Sequence, residues 1–155
     1  MRWDLIIAHP PCTYLTNGGA NNLFNRDHTI KSREREEKGW EARAFFMMFL
    51  DADCPRIAVE NPVPMRHFCL PPYSQIIEPC MFGDPWKKRT CLWLRGLPPL
   101  FATDIVVPTG LWVAATSAKK SGYENGGVSS AKMRSKTFPG IARAMAEQWG
   151  GERNA

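Results

Sequence analysis

WDLIIAHPPCTYLTNGG (residues 3–19) opens on an apolar run, ends it with two adjacent prolines, and sets a lone cysteine, Cys12, directly after them. Residues 3–8 have the length and the continuous apolar character of a short strand buried on both faces. Pro10 and Pro11 fix where that strand ends. The stretch that follows, residues 12–28, is dense in Gly, Asn and Thr, a composition for a loop that lies over something.

Outward from this strand, the pattern changes at residue 30. IKSREREEKGWEARAFFMMFLDAD (residues 30–53) is charged early and apolar late, with helical spacing across Trp40, Ala44, Phe45, Met48 and Phe49. It is expected to form a long helix over residues 31–52, loosened near Gly39. RIAVE (residues 56–60) is a second buried strand, ended by Asn61 and Pro62. SQIIEP and TCLWL then read as two strands, near residues 74–79 and 90–94, separated by the turn CMFGDPWKKR with its three adjacent cations. Residues 109–136 are rich in Gly, Ser and Lys, as expected for an irregular basic loop, and Pro139 can begin a helix over residues 139–149 that Gly150 and Gly151 close. Strand, helix, strand, hairpin and helix in that order fit an α/β sheet with crossover connections.

The chain's 155 residues match one ordinary domain, spanning residues 1–155. Lys and Arg number 20 against 15 Asp and Glu, a net charge of +5 that suits a polyanionic partner. No apolar run approaches the length of a membrane span, and the first residues lack the features of a secretory signal, so a cytoplasmic protein without membrane contact is expected. Five cysteines, odd in number and without a CxxC pair, signal neither a disulfide framework nor a metal site. His67 with Cys54, Cys69 and Cys80 matches no zinc spacing.

Ligands of open α/β sheets sit beyond the carboxyl ends of the strands. There the first strand delivers His9–Cys12 and the second delivers Glu60, Asn61 and Pro62, so a thiol and a carboxylate face one crevice. A thiolate is a strong nucleophile, and a carboxylic acid beside it can protonate an electron-poor ring as the sulfur attacks. That is the chemistry of adding to the sixth carbon of cytosine. The plainer alternatives are a buried apolar cysteine and a strand-end carboxylate paired with Arg56 or Arg66. His9 could polarise Cys12, but a solvent-facing or backbone-bonded histidine is the expectation. Of the six tryptophans, Trp93 and Trp149 sit at core-like positions, whereas Trp86 in the turn is the candidate for base stacking.

These residues carry a resemblance. DLIIAHPPCTYL is similar to the proline-cysteine motif of cytosine-5 DNA methyltransferases, IAVENP to their glutamate-asparagine motif, and FGDPWKKRTCLWL to their later hairpin motif. RSKTFPGIARAMAEQWGG resembles the family's last, cofactor-adjacent helix. Over nearly its whole length the chain resembles the later part of short phage-borne proteins of this kind. The resemblance implies a Rossmann-like methyltransferase sheet with flanking helices, acting on DNA with S-adenosylmethionine as methyl donor. It makes Cys12 the nucleophile and Glu60 the acid at the ring nitrogen, with Asn61 holding the Glu60 loop. Pro10 and Pro11 match the shaping prolines, Pro10 towards the cofactor and Pro11 towards the substrate. Lys88 aligns with the first motif arginine, near the flipped base or its phosphate. The second falls on Thr90, so Arg89 either substitutes for it or is a solvated cation, and the family's glutamine is replaced by Trp86.

Two departures from the family shape the expectations. The glycine-rich turn and acidic strand end that hold the methyl donor do not precede residue 3, so the sheet is expected to be incomplete on its N-terminal side. The first strand then forms an apolar edge that a partner chain or a homo-oligomer would cover. Residues 109–136 are also too few for a separate DNA-recognition domain. Three functions remain open: a catalytic segment completed by a partner chain, a non-catalytic nucleic-acid or protein-binding module, and a thiol enzyme acting on a small base or nucleotide.

Overall fold

A computed structural model describes residues 2–112, 127, 128, 132 and 135–151. In chain order the elements are β1 (Ile6–Ala8), α1 (Ala20–Leu23), α2 (Arg33–Leu50), β2 (Ile57–Pro62), β3 (Gln75–Ile77), β4 (Trp86–Lys87), β5 (Thr90–Arg95), β6 (Gly110–Leu111) and α3 (Pro139–Trp149). Single 3-10 turns lie at Asn17–Gly19, Arg66–Phe68 and Pro79–Met81. The chain is therefore mixed α/β, with a mixed four-stranded sheet in the order β1-β2-β5-β3 and a two-stranded pair β4-β6. Contacts divide it into two compact units, Met1–Ile76 with Thr90–Pro98, and Ile77–Arg89 with Pro99–Ala155.

In the first unit β1 runs parallel to β2, with Ile6 opposite Ile57 and Ala8 opposite Val59. β5 returns antiparallel on the other side of β2, from Ile57 opposite Arg95 to Pro62 opposite Thr90. Ala8, Ile57, Val59, Cys91 and Trp93 join Leu15, Leu23, Phe46 and Phe68 in one buried cluster. β1 is less covered than its sequence suggests. It is the edge strand, and Ile7 is 37 % exposed, because side chains alternate across a strand and only the face bearing Ala8 meets the cluster.

Helix α2 begins where its sequence directs. The Ser32 hydroxyl accepts a bond from the Arg35 amide at 3.2 Å, and Glu34 and Glu36 in the first turn complement the positive end of the helix dipole. At the far end the Arg95 guanidinium donates to the carbonyls of Leu50 and Cys54, each at 2.7 Å, and to that of Ala52. It thereby satisfies acceptors that the end of a helix leaves without partners.

The buried face of α2 is a correction. Trp40, Phe45 and Met48 are exposed, whereas Gly39 and Phe46 are buried, with Ala42, Met47 and Leu50 packed against the core. The second half of the helix is apolar on more than one side, so periodicity cannot choose between faces, and the ring of Phe68 makes the choice. Nor does the helix loosen at Gly39. A Cβ there would lie 2.0 Å from Cζ of Phe68, so the glycine is needed for close approach.

In the second unit β4 and β6 pair in parallel, so two residues of the expected turn and two of the expected basic loop form strands. Most of that loop, residues 113–126 above all, lies outside the described residues. Pro139 opens α3, which buries Ile141, Ala144, Met145 and Trp149 along one side. The Gln148 amide bonds both the amide and the carbonyl of Phe101 at 2.8 Å. Among the described residues no helix is long and apolar enough to cross a membrane.

Replacing glycine by alanine inside an exposed helix ordinarily stabilises it by about 1 kcal/mol. Gly39→Ala is expected to do the opposite, costing about 1–3 kcal/mol through overpacking against Phe68. The urea midpoint should fall, and Gly39→Ala combined with Phe68→Leu should recover part of the loss.

Candidate active site at the carboxyl ends of β1 and β2

Because β1 and β2 are parallel neighbours, their carboxyl ends lie at the same end of the sheet. Ala8 faces Val59, so one further step along each chain sets His9 beside Glu60 and Pro10 beside Asn61. Side-chain contacts follow this register. His9 Nδ1 lies 2.5 Å from Glu60 Oε2, and the Asn61 Nδ2 amide donates to the Pro10 carbonyl at 3.0 Å. Alternation separates the two pairs. Val59 and Asn61 point to the packed face, where Asn61 is 1 % exposed, while Glu60 and His9 point to the other, with side chains 13 % and 40 % exposed.

Cys12 follows two residues beyond Pro10, and its carbonyl accepts from the amides of both Leu15 and Thr16 at 3.2 Å, which curls the backbone directly after it. The loop is then tied down. The Met65 amide donates to the Leu15 carbonyl at 2.7 Å, and the Asn17 amide donates to the Val63 carbonyl at 3.1 Å. From α2, Arg35 Nη2 donates to the Thr13 carbonyl at 2.8 Å, and its guanidinium lies 5.0 Å from the centre of the Tyr14 ring. A Cβ on Gly19 would lie 2.9 Å from that Nη2, so the second glycine of TNGG makes room for an arginine. The TNGG stretch forms a 3-10 turn.

All five cysteines are free, and they differ in setting. Cys12 is half-buried, Cys69 is exposed, and Cys54, Cys80 and Cys91 are buried. Burial, reinforced by the Glu78 carboxylate, pushes the Cys80 thiol above its ordinary range, which removes it as a nucleophile near neutral pH. Among the described residues no group of three or more His, Cys, Asp and Glu side chains could hold a metal ion.

The structure thus gathers Cys12, Glu60, Asn61, Pro10 and the exposed Pro11 at one end of the β1–β2 pair. Trp86, Lys88 and Arg89 belong to the second unit. There the Trp86 ring meets Trp112 edge-on at 4.8 Å and lies against Gly110, where a Cβ would come within 2.3 Å of it. Trp112 continues to Phe138 at 4.6 Å, and Lys88 Nζ lies 6.0 Å from the Phe138 ring centre. Trp86 is a packing residue of this aromatic cluster, half-buried, while Arg89 is exposed.

His9 faces solvent as expected, and its ring also bonds a carboxylate, which was not expected. The signal was present in the sequence. IIAHPP and IAVENP align residue for residue once the two strands are taken as parallel and in register, and that alignment pairs His9 with Glu60.

No protein-family model matches the chain, and searches of curated proteins and of solved structures give no significant match.

Asn61→Leu should remove the amide that holds Pro10 and leave a buried carbonyl without its donor, a cost largely offset by removing the unpartnered Asn61 Oδ1, so that stability changes by less than about 1 kcal/mol. Alkylation of Cys12, followed by mass spectrometry of its peptide, should become faster in this variant as the loop opens. An unchanged rate would show that the amide does not govern access to the thiol.

Proposed function

We propose that this chain acts on cytosine in DNA in the manner of a cytosine-5 methyltransferase, on a Rossmann-like α/β scaffold, with Cys12 as nucleophile and Glu60 as acid. One observation carries this: two parallel, adjacent strands deliver the thiol-bearing turn and the carboxylate to one end of the sheet. The Cys12 thiolate attacks the sixth ring carbon, an S–C bond forms, and the ring π electrons shift towards N3, which takes a proton from the Glu60 carboxyl. The fifth carbon becomes nucleophilic and accepts an electrophile. A water molecule then takes the fifth-carbon proton, the C–H electron pair restores the ring double bond as the S–C bond breaks and the thiolate leaves, and N3 returns its proton to Glu60. A cytosine reaches such a site only when flipped from the duplex. The exposed Arg89 and the net charge of +5 favour the polyanion.

The methyl donor of the family, S-adenosylmethionine, does not fit the described residues. Pro10, the one residue the resemblance sets towards that donor, is buried with its carbonyl bound by Asn61, and Gly19 of the turn between β1 and α1 is packed against the Arg35 guanidinium. The proposal therefore covers addition to the base, with the donor held by a partner chain. The edge position of β1, where Ile7 and Trp3 are exposed, leaves an apolar strand for such a chain to cover.

The test is covalent capture, with S-adenosylmethionine and candidate partner chains supplied, of an oligonucleotide containing 5-fluorocytosine, whose fluorine blocks elimination once the fifth carbon has taken the methyl group. Wild-type protein should form a denaturant-stable adduct at Cys12, Cys12→Ser none, and Glu60→Gln should form it about 10²- to 10⁴-fold more slowly. Binding should weaken steeply with salt. Salt-dependent binding without an adduct would favour a non-catalytic nucleic-acid module, and salt-insensitive binding would count against nucleic acid.

A further inference from the structure

The geometry points to His9 as the positioning residue of Glu60, an inference that rests on the cytosine chemistry proposed above. The contact is short, 2.5 Å between Nδ1 and Oε2, and joins a shielded carboxylate to a more open ring, 13 % against 40 % exposed. It is no accident of flexible surface groups. Both residues stand one step past an Ala8–Val59 ladder pair, and the register holds their backbones opposite each other. His9 has one neighbour fixed in the ladder and the other, Pro10, buried and tethered by Asn61.

The pairing divides the work between the two carboxyl oxygens. With the Nδ1 hydrogen donated to Oε2, the proton destined for the ring is carried on Oε1. When cytosine N3 takes it, the Oε1–H bond breaks, the N3–H bond forms, and the electron pair stays on Glu60 as carboxylate charge. The Nδ1–H···Oε2 bond then becomes charge-assisted, roughly twice as strong as its neutral form. The ring, open to water, can pick up a proton at Nε2 and neutralise that charge. Elimination of the thiolate runs the same transfers backwards, so the pair ends as it began. His9 thus does for Glu60 what the carboxylate of a hydrolase triad does for its histidine, with the partners exchanged.

The experiment uses release of tritium from 5-tritiated cytosine in an oligonucleotide, which needs thiol addition and N3 protonation but no methyl donor. Wild-type protein should release tritium and Cys12→Ser should not. His9→Ala should lower the turnover by about 10- to 100-fold, the worth of a charge-assisted hydrogen bond, with oligonucleotide affinity and melting temperature unchanged. Added imidazole should restore part of the rate in His9→Ala and none in Glu60→Gln. His9→Gln, whose amide can hold Oε2 but cannot take up a proton, should fall between wild type and His9→Ala. Wild-type turnover in His9→Ala would overturn the assignment, as would a loss that tracks the melting temperature and resists imidazole. If the wild type itself releases no tritium and forms no fluorocytosine adduct, the cytosine chemistry fails and this role fails with it. That failure is distinguishable, because the NMR resonance of the His9 ring nitrogen would still move on Glu60→Gln.

Discussion

The ladder between β1 and β2 is the constraint on which the site depends, and prolines decide where it stops. In a parallel pair the bonds alternate between neighbours, and the Ile6 amide donates to the Arg56 carbonyl at 2.9 Å. Continuing that alternation, the Pro10 nitrogen would donate to the Glu60 carbonyl and the Pro62 nitrogen to the Pro10 carbonyl. Neither has a hydrogen to give. Two rungs are deleted at the same height, and the strands must part there. The Asn61 side chain supplies the donor that Pro62 cannot, so the Pro10 carbonyl stays satisfied while the backbone turns away towards Cys12.

This explains why the outline of the fold could be read from residues alone. The strands at 6–8, 57–62 and 90–95, and helices α2 and α3, fall close to the expected positions, and three of their boundaries are written in prolines, whose conformational meaning is fixed: Pro10, Pro62 and Pro139. What could not be read depends on contacts distant in sequence. Helix α2 offers apolar side chains on two faces, and the choice of Gly39 and Phe46 over Trp40 and Met48 requires Phe68 to be in place. The two-residue strands β4 and β6 are too short for any period, and their meeting depends on Gly110 admitting the Trp86 ring.

The site divides in the same way. That Cys12, Glu60 and Asn61 come to one end of the sheet was legible, because prolines mark the ends of both strands and the strands run parallel. The His9–Glu60 contact was legible only through the register of the two strands. A one-residue slip would turn the His9 side chain to the packed face and set it against a different partner. The packing of Trp86 could not be read from the sequence. An aromatic residue among cations in a presumed turn suggests a stacking surface, but Trp112, Gly110 and Phe138 converge on one aromatic cluster that only tertiary structure assembles.

Asn61 shows what such an arrangement costs. Its Nδ2 serves Pro10, which fixes the orientation of the amide, and its Oδ1 is then buried without a hydrogen-bond partner. An unsatisfied buried acceptor costs about 1–3 kcal/mol, similar to what satisfying the Pro10 carbonyl gains, so the net contribution to stability is small. An apolar residue of similar size would avoid the first cost but leave the carbonyl without its donor. The asparagine therefore contributes mainly to position. It fixes Pro10, and with it the start of the turn that bears Cys12, at the end of the sheet where His9 meets Glu60, and fixed position is what any chemistry shared between those two strand ends would require.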